Sequence, residues 1–166
     1  MIQSAGLLVF RRTGESPEVL LTHPGGPIWG KRDSWSIPKG ELGEGEDHRT
    51  AAFREFDEEV GIEPPAGTLI DLGEIKQRSD KINFVFALEG DLDITKFVCH
   101  STFTMEWPPH SGVQAEFPEN DRAAWFDLPT AKQKLFKAQT GFIDRLAEKL
   151  AVEVVEITEP EQQSLL

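Results

Sequence analysis

Within the run Gly40 to Ile62, GELGEGEDHRTAAFREFDEEVGI, three glutamates, Glu55, Glu58 and Glu59, crowd into one helical turn directly behind Arg54. Like charges at neighbouring helical positions repel, so folding alone gives no reason to gather them. A hard divalent cation does give one. Mg²⁺ prefers oxygen ligands and commonly bridges carboxylates to substrate phosphates. The full spacing is G-x5-E-x7-R-E-U-x-E-E-x-G-U, with U apolar. Its fixed positions are filled by Gly40, Glu46, Arg54, Glu55, Phe56, Glu58, Glu59, Gly61 and Ile62. With each residue type near 7% usage, a chance match at one start point is on the order of 10⁻⁹. The run is a motif.

A helical wheel sorts this segment into two faces. At about 100° per residue with Glu55 at zero, Glu59 lies near 40° and Glu58 near −60°, so the three carboxylates share one side. Ala52, Phe53, Phe56 and Val60 fall between roughly 60° and 160°, which directs them to a core. Glu55 and Glu59, one turn apart, can close on a single ion. For an isolated EFDEE a solvated acidic face is the lesser of two readings, and the complete spacing makes it weaker still.

The segment resembles the signature box of the Nudix hydrolases, which cleave a nucleoside diphosphate linked to another group. The resemblance implies an α/β fold, an α/β/α sandwich with a mixed sheet, extending from about Ser4 to Leu150 in one domain (residues 1–150). It also implies metal-dependent pyrophosphate hydrolysis with Mg²⁺ or Mn²⁺ as cofactor. Glu55 and Glu59 would be metal ligands, and Glu58 a further ligand or the base that deprotonates water. Arg54 would orient a carboxylate through its planar guanidinium fork. Glu46 would brace the entry to the helix. Gly40 and Gly43 would let the chain turn so that a backbone carbonyl reaches the metal.

Other residues join the site by position. Lys39, in WSIPKG beside the box, can offer charge to phosphate oxygens, and a solvent-exposed lysine is an equal reading. The resemblance also implies a ligand or base from a second loop, for which Glu119 and then Glu116 in EFPEND are the candidates, with a plain polar turn as the other reading. Trp29, Trp35, Trp107 and Phe103 lie in or beside expected loops, where one or two could stack on a nucleobase; Trp29 and Trp107 are the substrate-binding candidates. Trp125, in the apolar AAWF, reads as core. The four histidines lack metal-ligand spacing, and Cys99 reads as packed.

The substrate expected is a small nucleotide. WSIPKGELGEGED looks most like hydrolases of diadenosine and other nucleoside polyphosphates, although the tyrosine common downstream in that branch has no counterpart in a chain without tyrosine. Nucleoside triphosphates, ADP-ribose-like nucleotide sugars and diphosphoinositol phosphates stay open, as does a non-catalytic nucleotide sensor. Intact box glutamates weigh against the sensor. An isoprenoid diphosphate isomerase would need a catalytic cysteine, and Cys99 has no supporting motif.

Elements must position these groups. Ser4–Arg12 and Glu18–His23 read as paired strands across a turn at Gly14–Pro17. Pro24–Gly40, dense in proline and glycine, reads as loop. The catalytic helix is expected over Glu46–Val60, stopped by Gly61 in a left-handed cap. Leu69–Gln77 and Lys81–Leu88 read as a hairpin, Ser101–Trp107 as a strand, Pro108–Asn120 as loop and Ala123–Phe126 as a short strand. Ala131–Leu150 reads as a helix or helix pair broken near Gly141. Residues 151–166 form an acidic tail, either an edge strand or disordered.

Composition sets outer limits. A chain of 166 residues suits one domain with an ordinary core. A net charge of −12 disfavours nucleic-acid polymers and membrane surfaces as partners. Half of that charge lies in the box. One cysteine forms no internal disulfide, and no signal peptide or membrane span is legible, so a cytoplasmic location is expected. Oligomeric state is not legible.

Overall fold

The computed structural model describes residues 1–155 and 157. A central strand, β1 (Ile2–Arg11), runs parallel to β5 (Lys81–Glu89), which pairs antiparallel with β4 (Ile70–Arg78). The other edge of β1 is divided. Its first half pairs antiparallel with β3 (Lys39–Glu41), from Ser4 opposite Glu41 to Gly6 opposite Lys39. Its last residues pair with β2 (Glu18–Pro24), Phe10 opposite Val19. β2 in turn carries β8 (Asn120–Asp127). This fork between β3 and β2 opens the sheet where the box begins.

Both faces of the sheet are covered, which is why β1 is a nearly unbroken apolar run. Ala5, Leu7 and Val9 pack with Phe86 and Leu88 against Ala51, Ala52, Phe56 and Val60 of α1 (His48–Val60). Leu8, Phe10, Val85 and Ala87 pack on the other face against α2 (Leu128–Lys134) and α3 (Thr140–Leu150), through Leu128, Phe142, Ile143 and Leu146. The result is a helix–sheet–helix sandwich with a mixed sheet.

The helix of the box starts two residues later than its spacing predicts. Asp47 caps it, its carboxylate accepting from Thr50 N at 2.8 Å. Gly61 ends it as expected, at φ 68°. Two expectations fail. Gln114–Pro118 is a strand, β7, paired with β6 (Thr102–Glu106) in a separate two-stranded sheet. The break between the last helices falls at Leu135–Gln139, and Gly141 lies inside α3. Trp125 packs on the α1-side core as expected, half-buried, with the Arg11 guanidinium 4.2 Å from its ring centre. Of the tail, Val152 and Val154 pack on the α3-side core, and most of the remainder lies outside the described residues. Among the described residues no helix is long and apolar enough to cross a membrane.

Candidate active site

The C-terminal end of α1 is stitched to the chain that supplies the far wall of the site. Val98 N donates to Val60 O at 3.0 Å, and His100 N to Glu58 O at 2.7 Å, satisfying helix-end carbonyls. Ser101 O then accepts from Glu119 N at 3.0 Å, and Glu119 O accepts from Gly25 N at 2.9 Å. One hydrogen-bonded path therefore holds Glu119 beside the helix glutamates. The cleft so formed has a volume of about 430 Å³ and is lined by Glu55, Glu58, Glu59, Glu119, Lys39, Gly40, Lys81, Ser101, Asn120 and Phe136, among others.

Arg54 organises the carboxylates. Its Nε and Nη2 each donate to Glu46 at 2.8 Å, a two-point pairing that leaves Nη1 to reach Glu55 at 2.9 Å and Glu58 at 3.1 Å. Nη2 also donates to Glu41 O at 3.0 Å, tying the helix to β3. Glu46 accepts from Gly43 N at 2.9 Å, the brace expected from its position. Arg54 first, then that amide, hold the Glu46 carboxyl down at about 2. The guanidinium is shifted upward, with Glu46 as the largest cause.

Glu59 is different. It is 7% exposed and accepts from Lys39 N at 3.1 Å, with no guanidinium on it. Burial, then Glu55 and Glu119, push its carboxyl up to about 8. Burial also raises Glu55, although Arg54 opposes it, and raises Glu119 with help from Glu58. Lys39 is driven the other way, down to about 8, by burial and then by Lys81. Burial raises these carboxyls first and their mutual repulsion adds to it, so positive charge brought among them is favoured.

Gly40 is required by contact. A Cβ there would lie 2.1 Å from the Glu55 carboxyl carbon, so the glycine leaves the space in which that carboxylate rests. Among the described residues no three His, Cys, Asp or Glu side chains already converge as a metal would draw them. Arg54 holds Glu55 and Glu58, and the Lys39 amide holds Glu59, instead. The donor set nonetheless fits a hard divalent ion, being all oxygen, acidic and close to two lysines suited to phosphate.

A second hollow of about 520 Å³ shares Ser36, Lys39 and Phe136 with the cleft and adds Trp29, Gln77 and Gln139. Trp29 is 41% exposed, edge-on to Phe136 at 5.2 Å, with the Arg32 guanidinium 4.7 Å from its ring centre. Trp107 lies elsewhere. It follows β6 at the turn of the small hairpin and lines neither hollow. Glu116 faces outward on β7 opposite Thr104, and Trp35 is core. Lys81, Ser101, Asn120 and Phe136 are the residues that sequence reasoning missed. The parallel β1–β5 pairing brings Lys81 in; its local sequence, at the start of a strand after Asp80, carries no sign of this.

The chain belongs to the NUDIX domain family, whose pattern it matches over residues 2–146. It is 43% identical over 49 residues to an RNA pyrophosphohydrolase of Hydrogenovibrio crunogenus, a stretch that covers 28% of this chain and 30% of that protein. The chain spans only 25–30% of the length of curated relatives it matches. In structure it is similar to a C. elegans Ap4A hydrolase, with TM-score 0.61 and 21% identity, covering 89% of this chain and 98% of the other. It is also similar to the NUDIX domain of Shewanella oneidensis NrtR solved with ADP ribose, with TM-score 0.63 and 14% identity, covering 90% and 88%. At these identities the structural likeness speaks to the fold.

Proposed function

We propose that this protein is a metal-dependent pyrophosphohydrolase that cleaves a diphosphate linkage in a nucleoside polyphosphate or dinucleoside polyphosphate by attack of water on phosphorus. The observation that carries this is the meeting, in one cleft, of Glu55, Glu58, Glu59 and Glu119 with Lys39 and Lys81. Acids alone would suit a cation store, and lysines alone an anion site. Together they suit a phosphate chain bound partly through a cation.

Glu55 and Glu59 would hold Mg²⁺ or Mn²⁺, with the Gly40 carbonyl nearby. Such an ion, when bound, neutralises phosphate charge and lowers the pKa of bound water. The remaining work falls to the chain. Arg54 keeps Glu55 and Glu58 oriented, and Glu46 keeps Arg54 in place. Glu58 takes a proton from the attacking water, and Glu119 stands on the opposite wall to share that role. Lys39 and Lys81 bind non-bridging phosphate oxygens and offset the charge that repels the nucleophile. The nucleoside end rests in the adjoining hollow against Trp29 and Phe136. A cytoplasmic, small-molecule role belongs to the same reading.

The test is a release assay for phosphate or pyrophosphate over nucleoside triphosphates, dinucleoside polyphosphates and ADP-ribose, with Mg²⁺ and with Mn²⁺. Turnover of the polyphosphates is expected to exceed that of ADP-ribose. Preference for ADP-ribose would move the assignment to nucleotide sugars, and no turnover of any compound would remove the enzymatic reading.

A further inference from the structure

Four buried side-chain atoms among the described residues lack a hydrogen-bond partner: Ser4 Oγ, Asn83 Oδ1, Asn120 Nδ2 and Trp125 Nε1. Of these residues only Asn120 lines the catalytic cleft. It is 5% exposed and opens β8 directly after Glu119. A buried amide without an acceptor loses its hydration and gains nothing in return. Such a group calls for an explanation beyond packing.

The backbone around Asn120 is firmly held. Asn120 pairs with Pro24 beyond a bulge in the β2–β8 ladder, and the preceding residue is hydrogen-bonded on both sides, to Ser101 and Gly25. Gly25 itself permits no side chain, since a Cβ would lie 2.4 Å from Pro118 O. The strand start is thus fixed, while the terminal torsion of an asparagine is soft, so the amide can swing toward an arriving acceptor.

The chemistry of the cleft says which acceptor. Lys39 and Lys81 reach it from β3 and β5, whereas the β8 side presents Glu119, which repels an anion. A neutral N–H donor on that side can hold a phosphate oxygen without adding charge and without competing for a cation, because an amide NH₂ has no lone pair to offer. We propose that Asn120 is a substrate-recognition residue whose amide donates to a phosphate oxygen of the bound polyphosphate on the Glu119 side of the cleft. This rests on the hydrolase reading and extends it to a residue outside the box.

A donor kept unpaired for a ligand has a signature that a structural asparagine lacks: its removal weakens binding without weakening the fold. The experiment compares wild type, Asn120→Leu and Asn120→Asp in thermal melts without ligand. Calorimetry with Mg²⁺ and α,β-methylene-ADP, which is not cleaved between its phosphates, then reads binding. Asn120→Leu is expected to melt at or above the wild-type temperature and to bind the probe about tenfold or more weakly, as for loss of a hydrogen bond to a charged group. Asn120→Asp, of the same shape but repelling anions, is expected to bind more weakly still. Wild-type affinity in either variant, a lower melting temperature in Asn120→Leu, or no binding by the wild type overturns the proposal. Failure of the hydrolase reading shows separately, as absence of metal-dependent anhydride cleavage by the wild type.

Discussion

At the scale of single residues, the site is a division of labour among chemically identical side chains. Glu46, Glu55, Glu58 and Glu59 are all glutamates, but Arg54 makes Glu46 a fixed anion while Glu59, buried, is held by the Lys39 amide. Exchange of Glu58 for Gln is expected to cut kcat by about 10²–10⁴-fold if it is the base, with a smaller change in metal requirement. The same loss in Glu119→Gln, with Glu58→Gln near wild type, would hand the role to Glu119. Glu46 also sets a pH dependence. Its folded pKa, at about 2, lies below the ordinary 4.5, so it contributes stability that is present above 4.5 and lost as pH falls toward 2. Acid-unfolding curves should therefore show Glu46→Gln less stable than wild type at pH 6, the gap closing below pH 4.5. A gap independent of pH would dissociate Glu46 from its pairing with Arg54.

At the scale of elements, the box helix was legible because its information is local. Spacing placed Glu55, Glu58 and Glu59 on one side, and Ala52, Phe56 and Val60 do face the sheet. Gly61 was legible from the same logic, and the structure adds a second demand on it: a Cβ there would meet Val98 O at 2.1 Å. Gly61→Ala is accordingly expected to lower stability by more than about 1 kcal/mol, measured by denaturant unfolding, since both φ and space forbid it. Gly40→Ala should instead lower activity more than stability, because the methyl displaces the Glu55 carboxylate. β7 was not legible. Gln114–Pro118 alternates half-buried and exposed residues against β6 alone, outside both main cores, so it lacks the apolar run of a core strand. The helix pair was legible, but its break, read near Gly141, falls at Leu135–Gln139, and α3 absorbs that glycine. Lys81 and Phe136 reach the cleft through strand order and helix packing, long-range facts that no local spacing carries.

At the scale of the molecule, a chain of charge −12 places several raised carboxyls in one cleft. Folding tolerates this because the two cores on either face of the sheet fix the cleft walls. A cation that binds the folded state alone adds stability, about 2.7 kcal/mol at a hundred times its Kd. Thermal melts with Mg²⁺ should therefore lie above melts in chelator, and the difference should shrink in Glu55→Gln and Glu59→Gln. The most direct measurement is the metal-activation curve of hydrolysis for wild type and these two variants. Chelation is expected to abolish wild-type turnover and Mg²⁺ or Mn²⁺ to restore it, with both variants needing more metal and reaching a lower rate. Full wild-type activity in excess chelator, or both variants at the wild-type rate in low Mg²⁺, would contradict the assignment of the metal site to this helix.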